Sequence, residues 1–491
     1  MALVDSGDWA EQAVRSYEGT SENWGWGVAL GDLDGDGRKD ILLPDAGGNV
    51  LYRNLEEGWT AEGLPQPFFP QSSGAVIADV NGDGRLDAFF PGGGPDSLLL
   101  ADGAGGWEDG TIAAGLWEMD DTNFSAAFAD YDRDGDLDLL MPVFAPDDGA
   151  GAEDPSQMPP GDPTVLLESQ GDGEFADASE LLPADIAGYP FIAGWTDFDR
   201  DGWLDIYLTH DHGEWVSPNR MLRNEGVDGD GQHRGFSDVS EATGLLLAAS
   251  SMGLGIGDIN GDGSPDYFVT STENSHLLLS ADGPTWVDSA VALGLQPEGD
   301  RQVGWGAEIA DLDNDGLLDG IALFGYWQPE PGSPEQQPDA LYLQQPDGTF
   351  EEVSAAWGLD DRGWGRGLAL ADLNGDGWLD VVKRELHAPA RLYLSRCGEA
   401  AWLEVALRQA GPNPFGVGAE VVVEVKDRTH RRWLTAGGTG LSSGGPMTVH
   451  VGLGEAETVE RLTVRWPDGG ESLFEGIATR QQLTVLRAGS E

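Results

Sequence analysis

The chain has 491 residues, with 87 acidic against 26 basic side chains and a formal net charge of -61. That balance excludes nucleic acid as a partner, because phosphate contacts need a basic surface, and it disfavours anionic lipid surfaces for the same reason. The single Cys397 excludes an internal disulfide framework, and no apolar run of membrane-spanning length occurs, so no membrane insertion is expected.

At the start, Met1–Gln12 lacks the basic opening and apolar core of a signal peptide. The chain is therefore expected to be either cytoplasmic or the product of a removed leader. Trp9–Val14 reads as a short outer strand that could complete the last sheet of a closed ring. Trp402–Val405 competes for the same slot.

Asp32 opens the motif D-L-D-G-D-G-R-K-D, and the same arrangement begins again at Asp79, Asp130, Asp197, Asp258, Asp311 and Asp372. Each copy has Asp at positions 1, 5 and 9, Asp or Asn at position 3, and Gly at position 6. Carboxylates at 1, 3 and 5 converge if the chain turns tightly, and the glycine permits the turn. A carbonyl at position 7 and the Asp at 9 would close an all-oxygen cage, which suits Ca²⁺. Strands rather than helices flank the loops, so they are not EF-hands. The expected ligands are Asp32, Asp34, Asp36 and Asp40 in the first loop, then Asp79, Asn81, Asp83 and Asp87 in the second. The third and fourth supply Asp130, Asp132, Asp134, Asp138, Asp197, Asp199, Asp201 and Asp205. The fifth supplies Asp258, Asn260, Asp262 and Asp266. The last two supply Asp311, Asp313, Asp315, Asp319, Asp372, Asn374, Asp376 and Asp380. Up to seven calcium ions are expected. Calcium is abundant outside cells, which favours a secreted, periplasmic or cell-surface protein.

Before each loop, positions −2, −4 and −6 are mostly bulky and positions −1, −3 and −5 mostly small, as in Met252-Gly253-Leu254-Gly255-Ile256-Gly257. Strict period two is a strand with one large face and one small face. A second strand follows each loop. Third strands are expected over Val50–Asn54, Ser97–Ala101, Val165–Ser169, Met221–Asn224, His276–Ser280, Ala340–Gln344 and Arg391–Ser395, each followed by an outer strand. Four-stranded units at this spacing predict an all-β fold, a seven-bladed β-propeller over 1–398. The insertions Ala145–Pro163, His210–Pro218 and Trp327–Pro338 fall on the face opposite the aspartates, where a rigid scaffold presents variable loops. From 399 to 491 the motif stops, and short strands separated by Gly-rich turns predict a small β-sandwich-like domain.

The seven loops with their flanks resemble the FG-GAP/VCBS repeat of integrin α-subunit propellers. The tail resembles the ASPIC/UnbV domain through Asn413, Gly416-Val417-Gly418-Ala419, Gly437-Gly438-Thr439-Gly440, Gly452-Leu453-Gly454 and Arg465-Trp466-Pro467-Asp468-Gly469. Together they are similar to the cartilage acidic protein family. The resemblance implies a secreted calcium-binding propeller with an appended β domain.

Two sets of residues carry candidate chemistry. His210 and His212 flank Asp211 on the variable face, a partial acid–base or Zn²⁺ set with no third ligand at a defined spacing. Trp24, Tyr189, Trp364 and Trp327 read as an aromatic rim around the central mouth, suited to a sugar or a cationic intermediate. Glu308 and Arg366 break the bulky/small alternation and are the strongest single-residue outliers. Lys383-Arg384-Glu385-Leu386-His387 reads as a solvated loop with a local ion pair. The main expectation is a monomeric, non-enzymatic module that binds a protein or carbohydrate partner through the variable face. The alternative is a cyclase, lyase or hydrolase using the central mouth, with His210, His212, Glu308 and Arg366 as its working groups.

Overall fold

The alternation before the fifth loop builds a real strand, Ser251–Gly257, which pairs antiparallel with Asp266–Ser271 across the aspartate loop. Ser275–Ser280 and Trp286–Asp288 follow in order, completing a four-stranded antiparallel sheet. The computed structural model describes residues 3–5, 25–45, 48–65, 72–118, 122–145, 161–281, 283–296, 302–326, 336–386, 388–395 and 398–489. Within them the same plan recurs at each aspartate loop, and the sheets follow one another as a propeller.

Packing between sheets follows from the alternation. A side chain on Gly194 would stand 2.9 Å from Leu254 Cδ2 of the next sheet. One on Gly257 would stand 2.7 Å from Ile309 Cγ2. Small faces thus receive the bulky faces of their neighbours, and each seam is buried. Gly257→Val should therefore cost about 1–3 kcal/mol through overpacking, read as a lower urea midpoint with unchanged slope.

The last sheet, Gly365–Ala371, Asp380–Glu385 and Arg391–Ser395, gains a fourth strand from the N-terminal end: Leu3–Asp5 pairs with Ser395–Tyr393. The expected outer strand Trp9–Val14 lies outside the described residues. Trp402–Val405 does not take the slot. It belongs to Ala401–Arg408, which pairs with Thr448–Gly454 and, in parallel, with Gln481–Leu486. A second tail sheet orders Arg428–Trp433, Glu420–Val425, Thr458–Arg465 and Glu471–Ala478. Leu403, Val405, Val421, Val423, Leu462 and Val464 fill the space between the two.

Lys383-Arg384-Glu385 is not a solvated loop. All three residues lie in a strand and are buried, because their charges pair with neighbours. Lys383 Nζ is 2.5 Å from Asp339, 2.8 Å from Asp361 and 3.1 Å from Glu385. Arg384 donates to the Gly25 carbonyl at 2.8 Å, joining the last sheet to the segment that leads into the first. His387 lies outside the described residues. Among the described residues no helix is long and apolar enough to cross a membrane.

Candidate metal centre

Each aspartate loop is held by its own backbone. The position 1 carboxylate accepts the N–H of the position 6 glycine, at 2.7 Å for Asp79 and Gly84 and 2.8 Å for Asp372 and Gly377. The position 9 carboxylate does something the spacing alone did not reveal. In all seven loops one oxygen accepts the N–H of position 2 and the other accepts an N–H at the end of the third strand. For Asp266 these are Ile259 at 2.8 Å and Ser280 at 2.7 Å. Position 9 is thus a clamp between loop and sheet. Asp87→Ala should cost about 2–4 kcal/mol even without metal, since the buried Val80 N–H and the half-buried Ala101 N–H lose their acceptor, and a chelator-treated urea titration reads this directly.

Positions 1, 3 and 5 or 9 converge. One carboxylate oxygen from each of Asp32, Asp34 and Asp36 lies within 4.8 Å of the others, as do those of Asp130, Asp132 and Asp138. Asp197, Asp199 and Asp205, and Asp311, Asp313 and Asp315, do the same. In the remaining loops Asn81, Asn260 and Asn374 replace the central carboxylate. The Oδ1 atoms of Asp130, Asp197 and Asp311 are buried without a hydrogen-bond partner. Burial pushes Asp130 and Asp197 up to about 7 and Asp311 to about 8, and the neighbouring carboxylates push the same way. An orphaned buried oxygen among like charges is relieved by a cation, and an all-oxygen donor set selects a hard divalent one. These residues fit such an ion.

The tail domain sits on this same face. Lys39 Nζ is 2.6 Å from Glu404. His450 Nε2 is 2.7 Å from Asn314 Oδ1, and Arg428 donates to the Asp315 carbonyl at 3.1 Å. From the tail, a loop enters the channel of the ring. Ala436 and Gly437 pair with Phe128 and Ala127. Ala75 N–H donates to the Ser442 carbonyl at 3.1 Å, Leu368 N–H to Gly440 at 3.1 Å, and Leu30 N–H to Gly444 at 3.0 Å. A Cβ on Gly437 would lie 2.3 Å from the Ala126 carbonyl, and one on Gly440 2.4 Å from that of Leu368. That is why this stretch is glycine: backbone passes against backbone. At its tip, Leu441 is fully buried in one cluster with Trp26, Phe124, Phe191, Met252 and Trp305. These rings close the channel, Trp26 stacking on Phe124 at 4.6 Å and meeting Trp305 edge-on at 5.6 Å.

The other predicted residues do not come together. His210 is buried, its Nδ1 2.9 Å from the Pro218 carbonyl, and burial pushes it down to about 4. His212 Nε2 meets Asp211 at 3.2 Å. Every group of three or more metal-ligating side chains among the described residues belongs to the aspartate loops. Tyr189 is fully buried against Phe144 and His212, so it offers no rim surface. Trp364 is half-buried against the aromatic cluster. Trp24 and Trp327 lie outside the described residues. Arg366 is buried with its guanidinium 3.9 Å from the Trp305 ring centroid. Glu308 instead bonds to Thr439 of the inserted loop, and burial pushes it up to about 8. The two outliers thus sit at different levels of the channel.

Comparison with known proteins agrees with this architecture. The FG-GAP-like repeat model matches residues 32–90, 79–141, 197–269, 258–322 and 332–382, and the ASPIC and UnbV model matches 409–491. The chain is 27% identical over 274 residues to cartilage acidic protein 1 of Xenopus tropicalis, covering 54% of this chain and 40% of that protein. The human protein of the same name is 27% identical over 293 residues, covering 57% of this chain and 41% of that one. The matches thus span about two-fifths of these relatives. Among solved structures, an N-acetylglucosamine-recognising Agrocybe aegerita lectin is similar over 86% of this chain and 98% of its own, with TM-score 0.43 and 16% identity. YCF48 from Cyanidioschyzon merolae is similar over 76% of this chain and 96% of its own, with TM-score 0.43 and 9% identity. With repeat matches across more than half its length and the tail matched as well, the chain belongs to the FG-GAP-like repeat proteins and carries an ASPIC and UnbV domain at its C-terminal end.

Proposed function

We propose that this protein is a secreted, calcium-stabilised propeller that binds a protein or carbohydrate partner through the face opposite its aspartate loops. The supporting observation is that the chain's own tail occupies the loop face and the channel. Among the described residues, Trp26, Phe124, Phe191 and Trp305 pack together across the channel, which weighs against an active site there. On the opposite face, Trp215 is 62% exposed at the tip of the loop joining Asp205–Asp211 to Arg220–Asn224. Glu214 pins that loop by accepting from Ser250 N–H at 3.2 Å and Ser250 Oγ at 3.0 Å. An indole held out on a rigid loop is a ready contact for a sugar face or a partner's apolar patch.

The aspartate loops hold the ring's rim, with calcium at the position 1 and 3 side chains together with position 5 or position 9. Calcium supplies positive charge that lets these carboxylates stay ionised side by side. The test is a screen of neutral glycans and purified secreted proteins in calcium, comparing the wild type with Trp215→Ala. The variant should bind at least roughly tenfold more weakly to whatever is captured, with an unchanged melting temperature. Equal binding by the two would contradict the assignment of the binding face.

A further inference from the structure

Between the ring and the tail domain lies a chamber of two adjoining lobes, each of about 160 Å³. It exists because the inserted loop fits one side of the channel more closely than the other. The residues just inside the loops of the first four sheets, Leu30, Ile77, Phe128 and Trp195, are 0–6% exposed. Their counterparts in the next three, Ile256, Ile309 and Leu370, keep part of their surface free and face the lobes. One wall of the chamber is therefore apolar.

The other wall is polar. Arg432, Thr435 and Thr439 from the tail and Glu308 from the ring line both lobes. Arg432 Nη1 donates to the Arg431 carbonyl at 2.8 Å, but its Nη2 is buried and has no partner. His450 lines the second lobe, and its Nδ1 is also buried without a partner. A guanidinium nitrogen left unpaired away from water is costly unless an acceptor arrives. Asp311, Asp258 and Asp319 attract Arg432 through space, but none of them accepts a hydrogen bond from its Nη2. Burial also keeps the Glu308 carboxyl protonated near neutral pH, so it offers a donor rather than a repelling charge.

We propose that this chamber is a binding site for a small organic monocarboxylate, its carboxylate on Arg432 and its apolar body on Ile256 and Ile309. One guanidinium nitrogen and the Thr435 hydroxyl, beside a Glu308 already bonded to Thr439, match a singly charged planar anion. A phosphate dianion would require more positive charge than the walls carry.

The experiment uses the full chain and a panel of benzoate, phenylacetate and hexanoate against their neutral amides, read by calorimetry and thermal shift at millimolar ligand. At least one acid should bind and raise the melting temperature, with its amide roughly tenfold weaker or silent. Arg432→Gln should lose at least roughly tenfold in affinity. Ile256→Phe, which fills the first lobe and leaves Arg432 in place, should lose binding while the far-ultraviolet spectrum stays unchanged. No binding by any acid would overturn the proposal. So would an amide binding as well as its acid, or full affinity in Ile256→Phe; these wild-type and Ile256→Phe readings decide the matter even if Arg432→Gln does not fold.

Discussion

Gly440→Val is expected to drive the inserted loop out of the ring and lower the first unfolding transition by at least about 3 kcal/mol. Gly440 has φ 67°, in the left-handed region that a β-branched residue avoids. Its new Cβ would fall 2.4 Å from the Leu368 carbonyl and 2.7 Å from Glu308 Oε1. Neither can retreat far, since Leu368 is in an inner strand and Glu308 is held by its bond to Thr439. The loop must therefore leave, taking with it the hydrogen bonds to Leu254 and Leu368 and the packing of Leu441. Leu441→Ala is the gentler companion and should cost about 2–5 kcal/mol, the usual range for truncating a buried leucine. Urea unfolding followed by tryptophan fluorescence checks both, because Trp26 and Trp305 lie beside the tip. In Gly440→Val, tail-domain peptides should also become accessible to protease before the ring unfolds.

Removing calcium is expected to lower the melting temperature by on the order of 10 °C or more. Each site saturated at a hundredfold excess over its dissociation constant contributes about 2.7 kcal/mol, and several sites add together. In the chelated protein Asp130, Asp197 and Asp311 retain buried oxygens without partners next to other carboxylates. Calcium added back should restore the transition, and magnesium should restore less, because it gives up its waters reluctantly and demands near-ideal octahedral geometry that these clamped loops are less suited to supply. The tail should loosen along with the loops, since Asn314 and Asp315 are at once in a loop and in contact with His450 and Arg428. Scanning calorimetry with and without chelator measures the effect.

Much of this was legible in the chain because the information is local. The inner strands follow from strict alternation, and the third strands fall where the apolar runs after each insertion put them, as with Val165–Ser169 and Ala340–Gln344. The aspartate spacing pointed to the converging carboxylates. What stayed hidden depends on partners far along the chain. Gly437 to Gly445 reads locally as a turn, yet its backbone bonds to residues more than 300 positions earlier, such as Ala75 and Leu30. The three charges Lys383-Arg384-Glu385 look solvated until Asp339 and Asp361 are brought beside them. Leu3–Asp5 is too short to show a period, so its pairing with the last sheet is not legible in the sequence. Glu471–Ala478 shows little strand pattern in the sequence because it is mostly exposed and carries Gly476 at φ 68°. Glu308 and Arg366 were visible as exceptions to the alternation, but only the fold shows that one meets the inserted loop and the other the aromatic floor.

The most direct test is the calcium content of the purified protein, equilibrated against buffered calcium and measured by mass spectrometry of the metal. The account predicts saturable binding of several ions per chain, with one fewer in Asp130→Ala and one fewer in Asp311→Ala. A protein that takes up no calcium and melts at the same temperature after exhaustive chelation would contradict it.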